Sequence, residues 1–471
     1  MPNNLEAALN PKSIAVIGAS DNPHKVGGRP ILFMGKYGYK GKIYPINPAR
    51  AEVQGCKAYP DLASLPEVPD MAIVALAGDG TVQAVEQCAR IGVKVAVVLA
   101  SGFAETGVEG KKAQDAMLAM ARAAGMRMVG PNSQGLANFG SGAIANFSTI
   151  FNDSPCSPGP VAIISQSGAM SQLIYSLLYQ SGIGIRHCHA TGNEADITVA
   201  ELAARVAEDE KVKLLLLYLE TINNPEQLIK AAAIAHARKL PVVALKSGRT
   251  ERGQRAARSH TGSAEIEDSR VDELFHRLGI WRAADAQDLV NASQLYLKGW
   301  RPQGRRLVTI SNSGATCVMA ADTAEQLGLP LATLAENTRA QLNAILPGFA
   351  TTTNPIDMTG ALLGNSGLFG KTLEIAGNDA GADLFFVGFP VAGTGYDIEA
   401  FARDAARFIA ATGKPLVLSV PQADIAAPFI KLGVPVFFSD RQALQALHQI
   451  SAHAVLMQRK IDASAPPGAL A

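Results

Sequence analysis

Long apolar runs, paired cysteines and an excess of charge are all scarce in this 471-residue sequence. Each shortage removes a class of function. The greasiest stretches, Val93 to Ala100 and Leu214 to Leu219, fall well short of the ~20 apolar residues needed to cross a bilayer. Cys56, Cys88, Cys156, Cys188 and Cys317 are odd in number, far apart and without a C-x-x-C pair. They imply neither a disulfide framework nor a zinc site, and a reducing, cytoplasmic compartment is expected. Residues Met1 to Ala19 lack the basic flank, apolar stretch and small-residue cleavage site of an export signal. With 42 basic and 41 acidic residues the net charge is +1, which offers no field for nucleic acid or an anionic membrane. Neither G-x-x-x-x-G-K-[ST] nor G-x-S-x-G occurs, which argues against P-loop nucleotidases and serine hydrolases.

What is present is small and apolar: 48% hydrophobic residues and 44 glycines, with only 6% aromatics. That balance reads as an α/β protein with many tight strand-to-helix turns, and the length suggests about three domains. Short β-branched runs at Ser13 to Ile17, Lys42 to Ile46, Met71 to Leu76, Val93 to Leu99 and Arg127 to Val129 alternate with amphipathic segments such as Thr81 to Ile91. This repetition predicts a parallel sheet with helices on both faces. A Pro/Ser-rich stretch at Ser154 to Pro160 precedes a second series, and the polar stretch Lys298 to Arg306 precedes a third. The expected domains are 1–145, 158–297 and 304–457, with 458–471 a disordered tail. Val161-Ala-Ile-Ile-Ser-Gln-Ser-Gly-Ala169 is echoed by Leu307-Val-Thr-Ile-Ser-Asn-Ser-Gly-Ala315, so the second and third series are read as a duplication.

The first strand runs into the glycine-rich stretch Gly18 to Gly28, a turn that lets backbone approach a phosphate at the next helix start. A nicotinamide dinucleotide would want an acid near the end of the second strand, where Asn47 and Pro48 stand instead. Lys25 suits a phosphate-rich ligand, although a solvated surface lysine is equally consistent with its position. Ser101 to Glu105 and Gly130 to Gln134 follow later strands, and the carboxyl ends of strands are where open α/β sheets bind ligands. Ser165, Gln166, Ser167 and Gly168 lie between a buried strand and an apolar helix, where hydroxyls and free N–H groups make an anion pocket, or where a serine simply caps the helix.

The stretch Lys246 to Ser263 reads as a polar loop rich in arginine and glycine, and it presents His260. A largely neutral imidazole can attack phosphorus and leave again; a solvated loop histidine is the plainer alternative. Glu220, where the strand Leu214 to Leu219 runs out, is the candidate to orient the ring. His187 and His189 share one side of a strand, but no third ligand is apparent, so no metal is expected.

Taken together, these motifs resemble the nucleoside-diphosphate-forming acyl-CoA synthetases, relatives of the succinyl-CoA synthetase α subunit. Gly18, Ser20, Pro23, Lys25, Gly27, Asn47, Ser101, Gly102 and Asn132 resemble the family's CoA-binding residues. Ser165 to Gly168 resemble its phosphate-binding turn, Gly192-Asn193-Glu194 a following active-site turn, and Ser259-His-Thr-Gly262 its phosphohistidine loop. The resemblance implies a Rossmann-like CoA-binding domain followed by two flavodoxin-like domains. It also implies the reaction acid + CoA + ATP ⇌ acyl-CoA + ADP + phosphate, with His260 carrying phosphate and Glu220 steadying it. Asn193 joins the implied phosphate site. The family also needs an ATP-grasp domain, so a separate β subunit holding ATP with Mg2+ is expected, in an α2β2 assembly. One departure is the acidic run Ala264-Glu-Ile-Glu-Asp268, where many relatives are alanine- and glycine-rich. The competing functions are a non-catalytic CoA-binding or regulatory protein and a nicotinamide-dependent oxidoreductase.

Overall fold

The protein is described by a computed structural model covering residues 5–261, 267–459 and 461, with the backbone alone at 258–261. The expected tail from Asp462 onward and the segment Gly262 to Ile266 lie outside the described residues. Residues 5–290 form one compact unit and 291–459 a second.

The first unit holds two large sheets. In the first, β1 (Ser13–Ile17), β2 (Lys42–Ile46), β3 (Met71–Val74), β4 (Val95–Val98) and β5 (Arg127–Val129) lie in the order β2-β1-β3-β4-β5, every pair parallel. Their β-branched composition follows from burial on both faces. No residue of β1, β3 or β4 is exposed, and each fully buried Val or Ile contributes about 1.5–3 kcal/mol relative to exposure. The order reverses at β1, whose carboxyl end carries Gly18, and ligand crevices in open α/β sheets form at such reversals.

The second sheet contains β6 (Gly135–Asn138), β7 (Ala143–Asn146), β8 (Val161–Ser165), β9 (Ile185–Ala190), β10 (Leu214–Leu219), β11 (Val242–Lys246) and β12 (Trp281–Arg282), in the order β12-β11-β10-β8-β9-β6-β7. The hairpin β6–β7 had been grouped by sequence with residues 1–145. It pairs antiparallel with β9 instead, so the first sheet ends at Val129 and the hairpin is an edge of its neighbour.

The second unit is built on β13 (Leu307–Ser311), β14 (Ile356–Asp357), β15 (Leu384–Gly388), β16 (Leu416–Ser419) and β17 (Val436–Phe437), in the order β14-β13-β15-β16-β17. Without its hairpin the second sheet has the corresponding order, β9-β8-β10-β11-β12. In both, a five-residue strand leads through Ser-x-Ser into a thirteen-residue helix, Gly168–Gln180 in one and Gly314–Gln326 in the other. The duplication heard in nine residues therefore extends to the whole topology. Register shows where the copies diverge. Ser165 pairs with Tyr218 and Ser311 with Gly388, so the position two residues beyond is Glu220 in the first copy and Pro390 in the second.

Among the described residues no helix is long and apolar enough to cross a membrane.

Candidate functional site

Two hollows border the strand ends of the first unit. One, about 430 Å3, is lined by Gly18, Ser20, Lys25 and Asn47, with Ala19, Asp21, Asn22 and Arg50. Its floor is backbone. Asn47 Nδ2 donates to Ala19 O at 2.9 Å and its Oδ1 accepts from Ala49 N–H, which locks the side chain between two turns. Ser20 Oγ accepts from Asn22 N–H. Gly27 closes the loop against its own start, since a β-carbon there would lie 2.1 Å from Gly18 O. The next helix, Arg29–Lys36, starts at Gly28 without a side-chain cap and with Pro30 in its first turn. The N–H groups of Gly28 and Arg29 both donate to Lys25 O and Arg50 pairs with Asp21, so the features of this hollow that suit an anionic ligand are its open backbone turn and Lys25. Pro23 belongs to the same turn but is not among the lining residues.

The other hollow is a cleft of about 500 Å3. Its central support is the turn after β9. Asp196 accepts from Arg122, from Arg127 Nε at 2.7 Å and from the Met128 N–H at 2.9 Å, while Ile197 N–H donates to Met128 O. This fastens Thr191 to Ile197 against β5. The same fastening carries Asn193 beside Asn132: Asn193 N–H donates to Pro131 O, and Asn132 Nδ2 donates to Asn193 Oδ1 at 3.2 Å. Asn193 Nδ2 in turn reaches Glu105 Oε2 and Gln114 Oε1. Burial pushes the Glu105 carboxyl up, but donors from Asn193, Gly102 and Phe103 outweigh it and hold the group below its ordinary value.

On the opposite wall Gln166 is held by both ends of its amide. Its Nε2 donates to Glu194 Oε2 at 2.6 Å and to Thr221 Oγ1, and its Oε1 accepts from the backbone N–H groups of Glu220 and Thr221. Ser165 Oγ donates to Ser167 O at 2.6 Å, and Ser167 Oγ accepts from Met170 N–H, capping the helix Gly168–Gln180. Simple capping thus accounts for Ser167's hydroxyl, and Gln166 N–H is spent on Tyr218 O, while Gly168 and Ala169 line the cleft. Glu194 collects four donors, from Thr191 Oγ1, Val199 N–H, Gln166 Nε2 and Asn223 Nδ2. Burial nonetheless pushes its carboxyl up.

Structure and expectation can be matched residue by residue. Gln166, Ser167, Gly168, Asn193 and Glu220 line one cleft, and Asn132, grouped by sequence with the CoA turn, lines that cleft too. Ser165 is buried beneath it. Ser101 and Gly102 line neither hollow; Gly102 N–H is spent on Glu105 Oε1. Glu194, Thr221, Asn223, Gln134 and Phe147 also line the cleft without having been singled out as site residues. Glu194 and Gln134 each had a signal, Glu194 in the turn quoted with Asn193 and Gln134 at the end of the strand-end turn Gly130 to Gln134; Thr221, Asn223 and Phe147 depend on contacts between distant segments. Lys246 to Ser263 is not a loop throughout. Glu251–Thr261 is a helix, started by Thr250 Oγ1 accepting from Gly253 N–H and favoured by its Arg, Gln and Ala content. His260 lies near the end of that helix, and its side chain is outside the described residues.

None of the described lining residues of the cleft is lysine or arginine, while Glu105, Glu194 and Glu220 all contribute. An anion placed there would meet backbone N–H groups and amides rather than counter-charge. Among the described residues no three His, Cys, Asp or Glu are grouped to hold a metal. His187 and His189 are instead bonded to one another, at 3.1 Å.

Comparison with known proteins gives these features a context. A family model described as CoA binding domain matches residues 12–138, and one described as succinyl-CoA ligase like flavodoxin domain matches 158–296. The chain is 36% identical over 366 residues to the acetate–CoA ligase (ADP-forming) I subunit alpha of Pyrococcus furiosus, covering 77% of this chain and 78% of that one. It is 32% identical to the acetate–CoA ligase (ADP-forming) I of Archaeoglobus fulgidus, covering 81% of this chain but 54% of the relative. Among solved structures, the dinucleotide forming acetyl-coenzyme A synthetase 1 of Ca. Korarchaeum cryptofilum, in complex with phosphate and ADP, superposes with a TM-score of 0.87 at 29% identity. That match covers 96% of this chain and 97% of the other.

Proposed function

Because this chain belongs to the α-subunit family of the ADP-forming acyl-CoA synthetases, we propose that it forms acyl-CoA through a phosphate relay centred on the 500 Å3 cleft. CoA takes the turn formed by Gly18, Ser20, Pro23, Lys25, Gly27 and Asn47. The acyl phosphate takes the turn of Ser165, Gln166, Ser167 and Gly168 with Asn132 and Asn193. In the acid-forming direction, phosphate attacks the thioester carbonyl and CoA leaves as thiol. A ring nitrogen of His260 then attacks phosphorus of the acyl phosphate, the P–O bond breaks, and the carboxylate departs. Glu220 orients the ring. Phosphohistidine finally passes its phosphoryl group to ADP.

One observation carries this reading: the turn at Gln166 and Ser167, Glu220, and the asparagines 132 and 193 line a single cleft. The relative that matches along most of its length is named subunit alpha, whereas the match fills only about half of the longer Archaeoglobus ligase. The subunit name supports a separate partner chain; that this partner is an ATP-grasp β subunit holding ATP with Mg2+, in an α2β2 assembly, is a further part of the proposal. The bound metal would offset charge on the travelling phosphate, consistent with a cleft that has no lysine or arginine among its described lining residues.

The test is labelling. Mixed with an ATP-grasp partner and ATP, the chain acquires an acid-labile phosphate that His260→Ala abolishes, and Glu220→Gln slows its formation by roughly 100-fold or more, as expected for a carboxylate that orients an imidazole. Undiminished labelling of His260→Ala would sink the relay.

A further inference from the structure

The acyl site has a selective feature that the phosphate relay does not use. Gln134 lines the cleft, yet its Oε1 is buried without a hydrogen-bond partner. Its side chain folds across the start of the helix Gly168–Gln180: a β-carbon on Gly168 would lie 2.4 Å from Gln134 Cγ, 2.5 Å from Cδ and 2.9 Å from Nε2. The absence of a side chain at 168 therefore makes the room in which the amide lies. The Gln134 backbone carbonyl accepts from Phe147 N–H at 3.3 Å, and Phe147, Ala169 and Leu99 supply apolar lining to the same cleft.

An acyl phosphate with its phosphate on the Gly168 and Ala169 N–H groups thus has its acyl chain beside Gln134. A bare alkyl chain there would leave the amide desolvated and unpaired, which is unfavourable. A half-turn of the terminal amide presents either oxygen or nitrogen, so a hydroxyl on the chain finds a partner in either orientation. A second carboxylate on the chain is disfavoured, because Glu105, Glu194 and Glu220 also line the cleft. We propose that Gln134 is a specificity-determining residue, selecting carboxylic acids whose chain carries a neutral hydroxyl over the unsubstituted acid of equal length. The inference rests on the ligase reading above.

The reverse half-reaction tests it. The purified chain is offered phosphate with propionyl-CoA, lactoyl-CoA or 3-hydroxypropionyl-CoA, and phosphorylation of His260 is followed by intact mass. At least one hydroxyacyl thioester labels about tenfold faster than propionyl-CoA, the discrimination of one net hydrogen bond. Gln134→Leu brings the ratio to about one, with CoA affinity unchanged as the control for folding, and Gln134→Met repeats the test with an unbranched chain. Equal labelling by the unaltered protein, or a preference that survives both substitutions, overturns the inference and leaves the ligase reading standing. If no acyl-CoA labels the unaltered protein, the ligase reading fails and the inference falls with it.

Discussion

Asn193 Nδ2 donates a hydrogen bond to Glu105 Oε2 across 88 residues of sequence. Glu105 also receives the N–H groups of Gly102 and Phe103, so one carboxylate organises the turn after β4 and holds the turn after β9 against it. The CoA-type sheet and the ligase-type sheet of the first unit meet the cleft through this pair.

Removing both partners should therefore cost less than the sum of removing each alone. Asn193→Ala leaves a partly buried carboxylate short of a donor and is expected to destabilise the chain by about 1–3 kcal/mol, with Glu105→Ala similar. The double variant should fall short of the sum by about 1 kcal/mol. Urea unfolding of the four proteins measures the coupling, and additive losses would show that the bond contributes nothing.

Glu194 gives a different expectation because all four of its partners donate. Glu194→Gln keeps the shape but sets an NH2 group against at least one donor, for a loss of about 1–3 kcal/mol. Gln166 must then shift, and with it the N–H groups of Glu220 and Thr221 that its Oε1 accepts. Labelling of His260 should slow more than CoA binding weakens. A variant that binds and labels as the unaltered protein does would exclude Glu194 from the site's architecture.

How much of this could be read from sequence depends on the range of the interaction. The strand cores were legible because burial on both faces demands β-branched runs, and Ser13–Ile17, Lys42–Ile46 and Leu214–Leu219 occupy the expected residues. The anion turn was legible because strand, Ser-x-Ser and helix are contiguous. The helix Glu251–Thr261 was not, since its only apolar side chains are Ala256 and Ala257 and its arginines and glycine read as a polar loop. Nor was the place of β6–β7, because whether an alternating hairpin joins the sheet before it or the one after it is settled by partners outside its own sequence. Asn132 followed the same rule: its turn was visible locally, but its neighbour Asn193 came from 61 residues away.

The buried histidines make the last prediction, because their protons can be assigned from one fixed donor. Ala137 N–H donates to His189 Nδ1 at 3.3 Å, so that nitrogen is bare and the proton of the neutral ring sits on Nε2. His189 Nε2–H then donates to His187 Nδ1, and His187 Nε2–H donates to Asp209 Oδ2. Burial pushes both imidazoles down, in His187 against the pull of Asp209. Asp209, bonded by His187 and also by Arg186, is held well below the carboxylate range and stays ionised. The unfolded chain, with imidazoles near pKa ~6.5, binds protons that the folded chain refuses. Stability is therefore complete above about pH 6.5 and falls as pH drops below it, by up to roughly 1.4 kcal/mol per pH unit for each histidine. His189→Gln should flatten that slope, even if it lowers stability at pH 7.5, and urea midpoints between pH 7.5 and 5 read both quantities. An unchanged slope in the variant would mean that the acid sensitivity originates elsewhere.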